Sequence, residues 1–198
     1  MKKLYIGLGV LAVIVAILIA TGALKFDVSV RPSSSEKEFV LPKDWVNYKS
    51  GEFGYSVAHP DGWNLQESNN GSRDLLILAP GGKAFVRIAG FKDSSLNSIE
   101  DVEKSMADYK AGFASKPNEQ LKEFKSEIKN DLGIFGAAGF MSINDIVYQF
   151  LERGIISPNG RVLIMRGAVE TTETAMTNEE FENFVATVKQ IMNSFSVQ

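Results

Sequence analysis

The run Tyr48-Lys49-Ser50-Gly51-Glu52-Phe53-Gly54-Tyr55-Ser56-Val57-Ala58-His59-Pro60-Asp61-Gly62-Trp63 decides how the rest of the chain is read. Asp61-Gly62 directly after Pro60 is turn chemistry, because proline presets φ and glycine relieves the steric limits on the next residue. Trp63 follows the turn at once. A side chain of that size leaving a tight turn buries a large apolar area, so Trp63 is expected in the core.

Downstream of this corner the sequence alternates between strand and helix patterns. Leu75 to Ala79, Phe85 to Phe91 and Val162 to Val169 place apolar residues on both alternating faces, as expected of a sheet covered on both sides. Leu121 to Lys129 behaves differently, with Phe124 and Ile128 set against Lys125, Glu127 and Lys129, which predicts an edge strand or a strand with one wet face. Gly81-Gly82 and Pro158-Asn159-Gly160 are further turns. The second of them, between Ile146 to Ile156 and Val162 to Val169, predicts a hairpin. Consecutive strands joined by short turns give a largely antiparallel sheet.

Two helices are legible by period. Ile99, Val102, Met106, Tyr109 and Phe113 recur at steps of three and four, with Ser98 and Asp101 in the pattern of a capping box. The second helix has Phe181, Phe184, Val185, Val188, Ile191, Met192 and Phe195 on one face, with Thr177 and Glu180 as its capping pair. The acidic clusters Glu100, Asp101, Glu103 and Glu179, Glu180, Glu182 fall in the first turns of these helices, where carboxylates meet the positive end of the helix dipole.

The run from Tyr48 to Trp63 resembles the opening of the PsbP-like family, in which a Gly-aromatic-Ser strand leads into an aromatic-Pro-x-Gly-Trp corner. Tyr55, Pro60, Gly62 and Trp63 carry that resemblance, and His59 stands where the family has Tyr or Phe. The close resembles the family as well, with a long amphipathic helix running into Ser194-Phe195. The resemblance spans Phe39 to Gln198. It implies an α+β fold with an antiparallel sheet sandwiched between helices, and a role in binding or assembly without catalysis. Its members include extrinsic subunits of photosystem II, a nuclear import factor that binds a small GTPase, and many membrane-tethered bacterial proteins.

At the amino terminus Lys2 and Lys3 precede an uncharged stretch from Leu4 to Leu24, which Lys25 closes. Twenty-one residues at helical rise extend about 31 Å, enough for the ~30 Å hydrocarbon core of a bilayer. Residues 1–25 are therefore expected to form a transmembrane anchor, 26–38 a linker with three consecutive serines at Ser33 to Ser35, and 39–198 an extracytoplasmic domain. Lysines ahead of the span place the amino terminus in the cytoplasm. The competing reading is a cleaved signal peptide ending in the small residues Ala20 to Ala23. Gly9, Ala12, Ala16 and Ala20 form a stripe of small residues, a candidate helix-helix interface or simply the side of a passive anchor.

Composition excludes several chemistries. Without Lys2, Lys3 and Lys25 the chain holds 18 basic against 24 acidic residues, a balance that disfavours nucleic acid as partner. There is no cysteine, hence no disulfide, thiol nucleophile or thiolate metal site. His59 is the single histidine, expected at a strand end, and no Gly-x-Ser-x-Gly elbow occurs. Gly133, Gly136 and Gly139 do not match a phosphate loop and mark a turn leading into a closely packed strand. Glu170 and Glu173 are read as solvated acids, with a weak calcium site as the alternative. Asn70-Gly71-Ser72 is a glycosylation sequon by pattern. No cofactor is expected, and a protein partner is. A carboxylate and His59 enzyme and a pilin-like filament subunit remain the alternatives in other functional classes.

Overall fold

The computed structural model describes residues 40–69, 73–171 and 176–197. The transmembrane stretch, the linker, the small-residue stripe, the sequon and Glu173 lie outside these residues.

Among the described residues the backbone builds ten strands and two α-helices. The strands are β1 (Trp45–Ser50), β2 (Tyr55–Pro60), β3 (Asn64–Asn69), β4 (Arg73–Leu78), β5 (Ala84–Lys92), β6 (Glu119–Lys129), β7 (Leu132–Ile143), β8 (Ile146–Ile156), β9 (Arg161–Glu170) and β10 (Ser196–Val197). Helix α1 is Ile99–Gly112 and helix α2 is Asn178–Ser194. Seven strands form one sheet in the order β3-β4-β5-β9-β8-β7-β6, every neighbouring pair antiparallel. The other three form a small sheet, β1-β2-β10, which the sequence patterns do not announce. Strand β6 lies at an edge, with its outer half exposed, as its one wet face predicts.

Register explains how the large sheet is covered. Gly167 on β9 pairs with Leu151 on β8, which pairs with Ala138 on β7, so these three share a face. Helix α2 packs there: a Cβ on Gly167 would collide with Val188 and Met192. Gly133 on β7 faces the other way, and a Cβ on it would collide with Val102 and Met106 of α1. Each helix thus seats on a glycine that lets it approach the sheet closely. The small sheet joins α2 over one face, where Phe53, Tyr55, Val57 and Trp63 enter the core with Val188, Ile191 and Met192.

Local chemistry sets the boundaries. Thr177 and Glu180 make a complete capping box at α2, each side chain meeting the other's backbone N–H. At α1 the Ser98 hydroxyl accepts the Asp101 N–H, but the Asp101 carboxylate accepts from Asn97 N–H and the Ser98 hydroxyl, one residue short of a reciprocal box. The β8–β9 hairpin turns at Gly160, whose φ of +85° suits glycine. The β6–β7 and β7–β8 hairpins turn on Asn130-Asp131 and Asn144-Asp145 instead, all four residues at positive φ. Asparagine and aspartate tolerate this region, so these turns form without the glycine that usually signals them.

Candidate functional site

The aromatic corner and the Ser194-Phe195 close of α2 meet. Tyr55 is 2% exposed and its ring centroid lies 5.4 Å from that of Phe195. The Ser194 hydroxyl accepts the Ala58 N–H at 2.8 Å, and Ser56 and Ser196 share a hydrogen bond at 2.8 Å. Trp63, 8% exposed, sets its ring at a steep angle to Phe184, with centroids 6.3 Å apart. The Pro60 carbonyl accepts the Trp63 N–H at 3.0 Å, which closes the corner. Gly62 has open space where a Cβ would stand, so its turn does not depend on a close approach. Together these residues clasp the end of α2 and β10 onto β2.

His59 sits at the end of β2, but its ring is buried and Nδ1 lies 2.9 Å from the Pro60 carbonyl. Burial takes it away from the open cleft that a general base requires. Among the described residues no group of three or more His, Asp or Glu side chains converges in a way that could hold a metal ion.

The principal cluster of charge lies elsewhere, under α1. Glu152 on β8 is 1% exposed and accepts from the Tyr109 hydroxyl at 2.7 Å and from Arg166 Nε at 2.5 Å. The same guanidinium grips Glu119, at the start of β6, through Nη1 at 2.9 Å and Nη2 at 3.3 Å. Lys116 stands 3.5 Å from the Glu119 carboxylate. Phe150 lies beneath the guanidinium, its ring centroid 4.6 Å from Cζ, a cation-π contact added to the ion pairs. Glu152 and Arg166 are cross-strand partners in the β8–β9 register, so the hairpin itself places them face to face.

The electrostatics follow from burial and pairing. Desolvation, reinforced by the Glu152 charge, raises the Tyr109 hydroxyl well above its ordinary pKa of 10.0 and keeps it a donor. Burial opposes the charge on Arg166, but the carboxylates of Glu152 and Glu119 outweigh it and hold the guanidinium protonated. Burial likewise works against the Glu119 carboxylate, yet the hydrogen bonds and charge from Arg166, with Lys116, bring its pKa below 4.5. Both oxygens of Glu152 and both of Glu119 are engaged. The cluster therefore ties α1, β6, β8 and β9 together, and its carboxylates are committed to that role.

One sequence signal for this cluster existed. Glu152 and Arg166 are the same seven positions from Asn159, the middle of the predicted hairpin turn, and are of opposite charge. Glu119 and Tyr109 have no comparable signal, because only the packing of α1 and the bulge between Leu121 and Glu123 bring them to the same spot.

No family model matches the chain, and no curated protein matches it. Among solved structures it is similar to cyanobacterial PsbP (CyanoP) from Synechocystis sp. PCC 6803, at 12% identity and a TM-score of 0.53, over 83% of this chain and 98% of that one. It is also similar to the Ran-binding protein Mog1p of Saccharomyces cerevisiae, at 7% identity and a TM-score of 0.44, over 77% of this chain and 95% of that one. A third likeness is to LpqN of Mycobacterium tuberculosis, involved in cell envelope biogenesis, at 10% identity and a TM-score of 0.38, over 81% and 82% of the two chains. At a TM-score of 0.53, cyanobacterial PsbP shares the fold of this chain. With an antiparallel sheet between helices and an aromatic corner clasped to the closing helix, the chain has the fold of the PsbP-like proteins.

Proposed function

We propose that this protein is a single-pass, membrane-anchored module whose extracytoplasmic domain binds a protein partner and has no catalytic role. The observation that carries this reading is the use made of the polar interior. Tyr109, Glu152, Arg166 and Glu119 satisfy one another, His59 is buried against its own backbone, and the aromatic motif closes the fold, so recognition is left to the outer surface. The fold shared with cyanobacterial PsbP is consistent with this reading. The apolar stretch from Leu4 to Leu24, with lysines before it, supports the anchor and the orientation with the domain outside.

Affinity purification of the full chain from gently solubilised membranes tests the proposal. A stoichiometric partner that survives salt and is released by substitutions on the domain surface is expected. Recovery of long homopolymers would replace the reading with a filament subunit, and recovery of the chain alone under crosslinking would remove the partner.

A further inference from the structure

The exposed apolar side chains of the domain are unevenly distributed. Ile143 and Ile146, 43% and 36% exposed, are direct partners across the two-residue turn Asn144-Asp145, so both project from one side of the β7–β8 hairpin tip. Pairing along the sheet shows what shares this end. Row by row, Leu121, Gly139, Phe150, Ala168, Phe85, Leu78 and Asn64 stand abreast, and beyond that row lie the hairpin tip, the end of β9 at Glu170, Lys83, and Trp63 ahead of β3.

Val40 and Leu41, 85% and 45% exposed, belong to the same end. The Pro42 carbonyl accepts from Trp45 N–H and the Asp44 carbonyl from Asp61 N–H, which fixes this segment against the turn that leads to Trp63. It is also here that the chain passes into the domain, 15 residues after the uncharged run that ends at Leu24. The opposite end presents the polar turns Asn130-Asp131 and Pro158-Asn159-Gly160; Ile128, exposed on β6 toward that side, stands between Glu127 and Lys129.

We propose that the end carrying Ile143, Ile146, Val40 and Leu41 rests on the surface of a zwitterionic bilayer, and that this contact orients the domain above the membrane. The inference rests on the membrane anchor proposed above. A tether of this length holds the domain at high effective concentration next to the lipid, so a small apolar contact suffices to select one orientation. Isoleucines flanking a tight turn reach the interfacial layer without exposing unpaired strand backbone, because the hairpin is hydrogen-bonded up to its tip. Charge decides the kind of lipid. Lys43, Lys83 and Lys116 at this end are outnumbered by Asp44, Asp61, Asp145, Glu170 and, in the first turn of α2, Glu179 and Glu180, even with Glu119 set aside as the partner of Arg166, so anionic headgroups repel it.

The absence of cysteine makes the test clean. The full chain carrying Asn144→Cys, labelled with an environment-sensitive fluorophore, is reconstituted into phosphatidylcholine vesicles containing nitroxide lipid; Asn159→Cys reports from the opposite end. Quenching several-fold stronger at position 144 than at 159 is expected. It should fall toward the level at 159 when Ile143→Ser and Ile146→Ser are added, and weaken as phosphatidylserine replaces phosphatidylcholine. Circular dichroism confirms that the variants stay folded. If the protein floats with vesicles but the two labels are quenched equally, the orientation is overturned while the anchor stands. A protein that does not float overturns both. A blue shift at position 144 without lipid quenching assigns the tip to a protein surface and overturns the lipid contact.

Discussion

At the scale of single residues, the largest effects belong to groups whose surroundings cannot rearrange. Trp63→Ala removes a nearly buried indole wedged against Phe184 and is expected to cost about 3 to 5 kcal/mol, measured as a shift in the urea midpoint. An unchanged midpoint would place the indole outside the core. Glu152→Gln leaves Arg166 paired with Glu119 alone and beside a neutral amide, and is expected to cost about 1.5 to 3 kcal/mol, the range for a hydrogen bond to a charged group. The loss in the double variant Glu152→Gln with Arg166→Met should be smaller than the sum of the two single losses, and strict additivity of the two would deny their coupling. The pH dependence has two arms. Glu119 has a folded pKa below 4.5, so its contribution is present above that value and is lost as the pH falls through the depressed folded pKa. Tyr109 is raised above 10.0, so its contribution is present below pH 10.0 and is lost as the pH climbs beyond it. Tyr109→Phe should weaken the alkaline arm, to which Tyr148, raised by burial, also contributes, and leave the acid arm in place, as read by the melting temperature across pH.

At the scale of elements, the helices depend on their caps and on the glycines beneath them. Thr177→Ala removes the hydroxyl that accepts the Glu180 N–H and is expected to cost about 0.5 to 2 kcal/mol, with faster amide exchange confined to the first turn of α2. Gly167→Ala inserts a methyl into the space of Val188 and Met192, lifting α2, at about 1 to 3 kcal/mol. A crystal structure of that variant with α2 in place would show that the sheet gives way instead. The helices and the β8–β9 hairpin were legible because period and turn chemistry are local. Strand β3 and the two Asn-Asp hairpins were not, since Asn64 to Asn69 is mostly polar and its pairing with β4 supplies what its own pattern lacks.

At the scale of the whole molecule, a fragment from Phe39 to Gln198 is expected to unfold in one cooperative step, because the closing helix and strand pack against the opening strands. Truncation after Met192 should abolish that transition by removing Ser194, Phe195 and β10 from the clasp on β2. In intact spheroplasts, added protease is expected to release the domain near Ser33 to Ser35; protection there with cleavage after lysis would reverse the orientation. The amino-acid order alone determined the helix faces, the edge character of β6, the aromatic corner and the excluded thiol chemistry, because each depends on residue type or short-range spacing. Tertiary structure alone decided that β2 and its corner form one clasp with the end of α2 and β10, that His59 is internal, and that Tyr109, Glu119, Glu152 and Arg166 share one network. These groups are 14 to 140 residues apart, and only strand register and helix docking, which sum many weak contacts across the sheet, bring them within hydrogen-bonding distance.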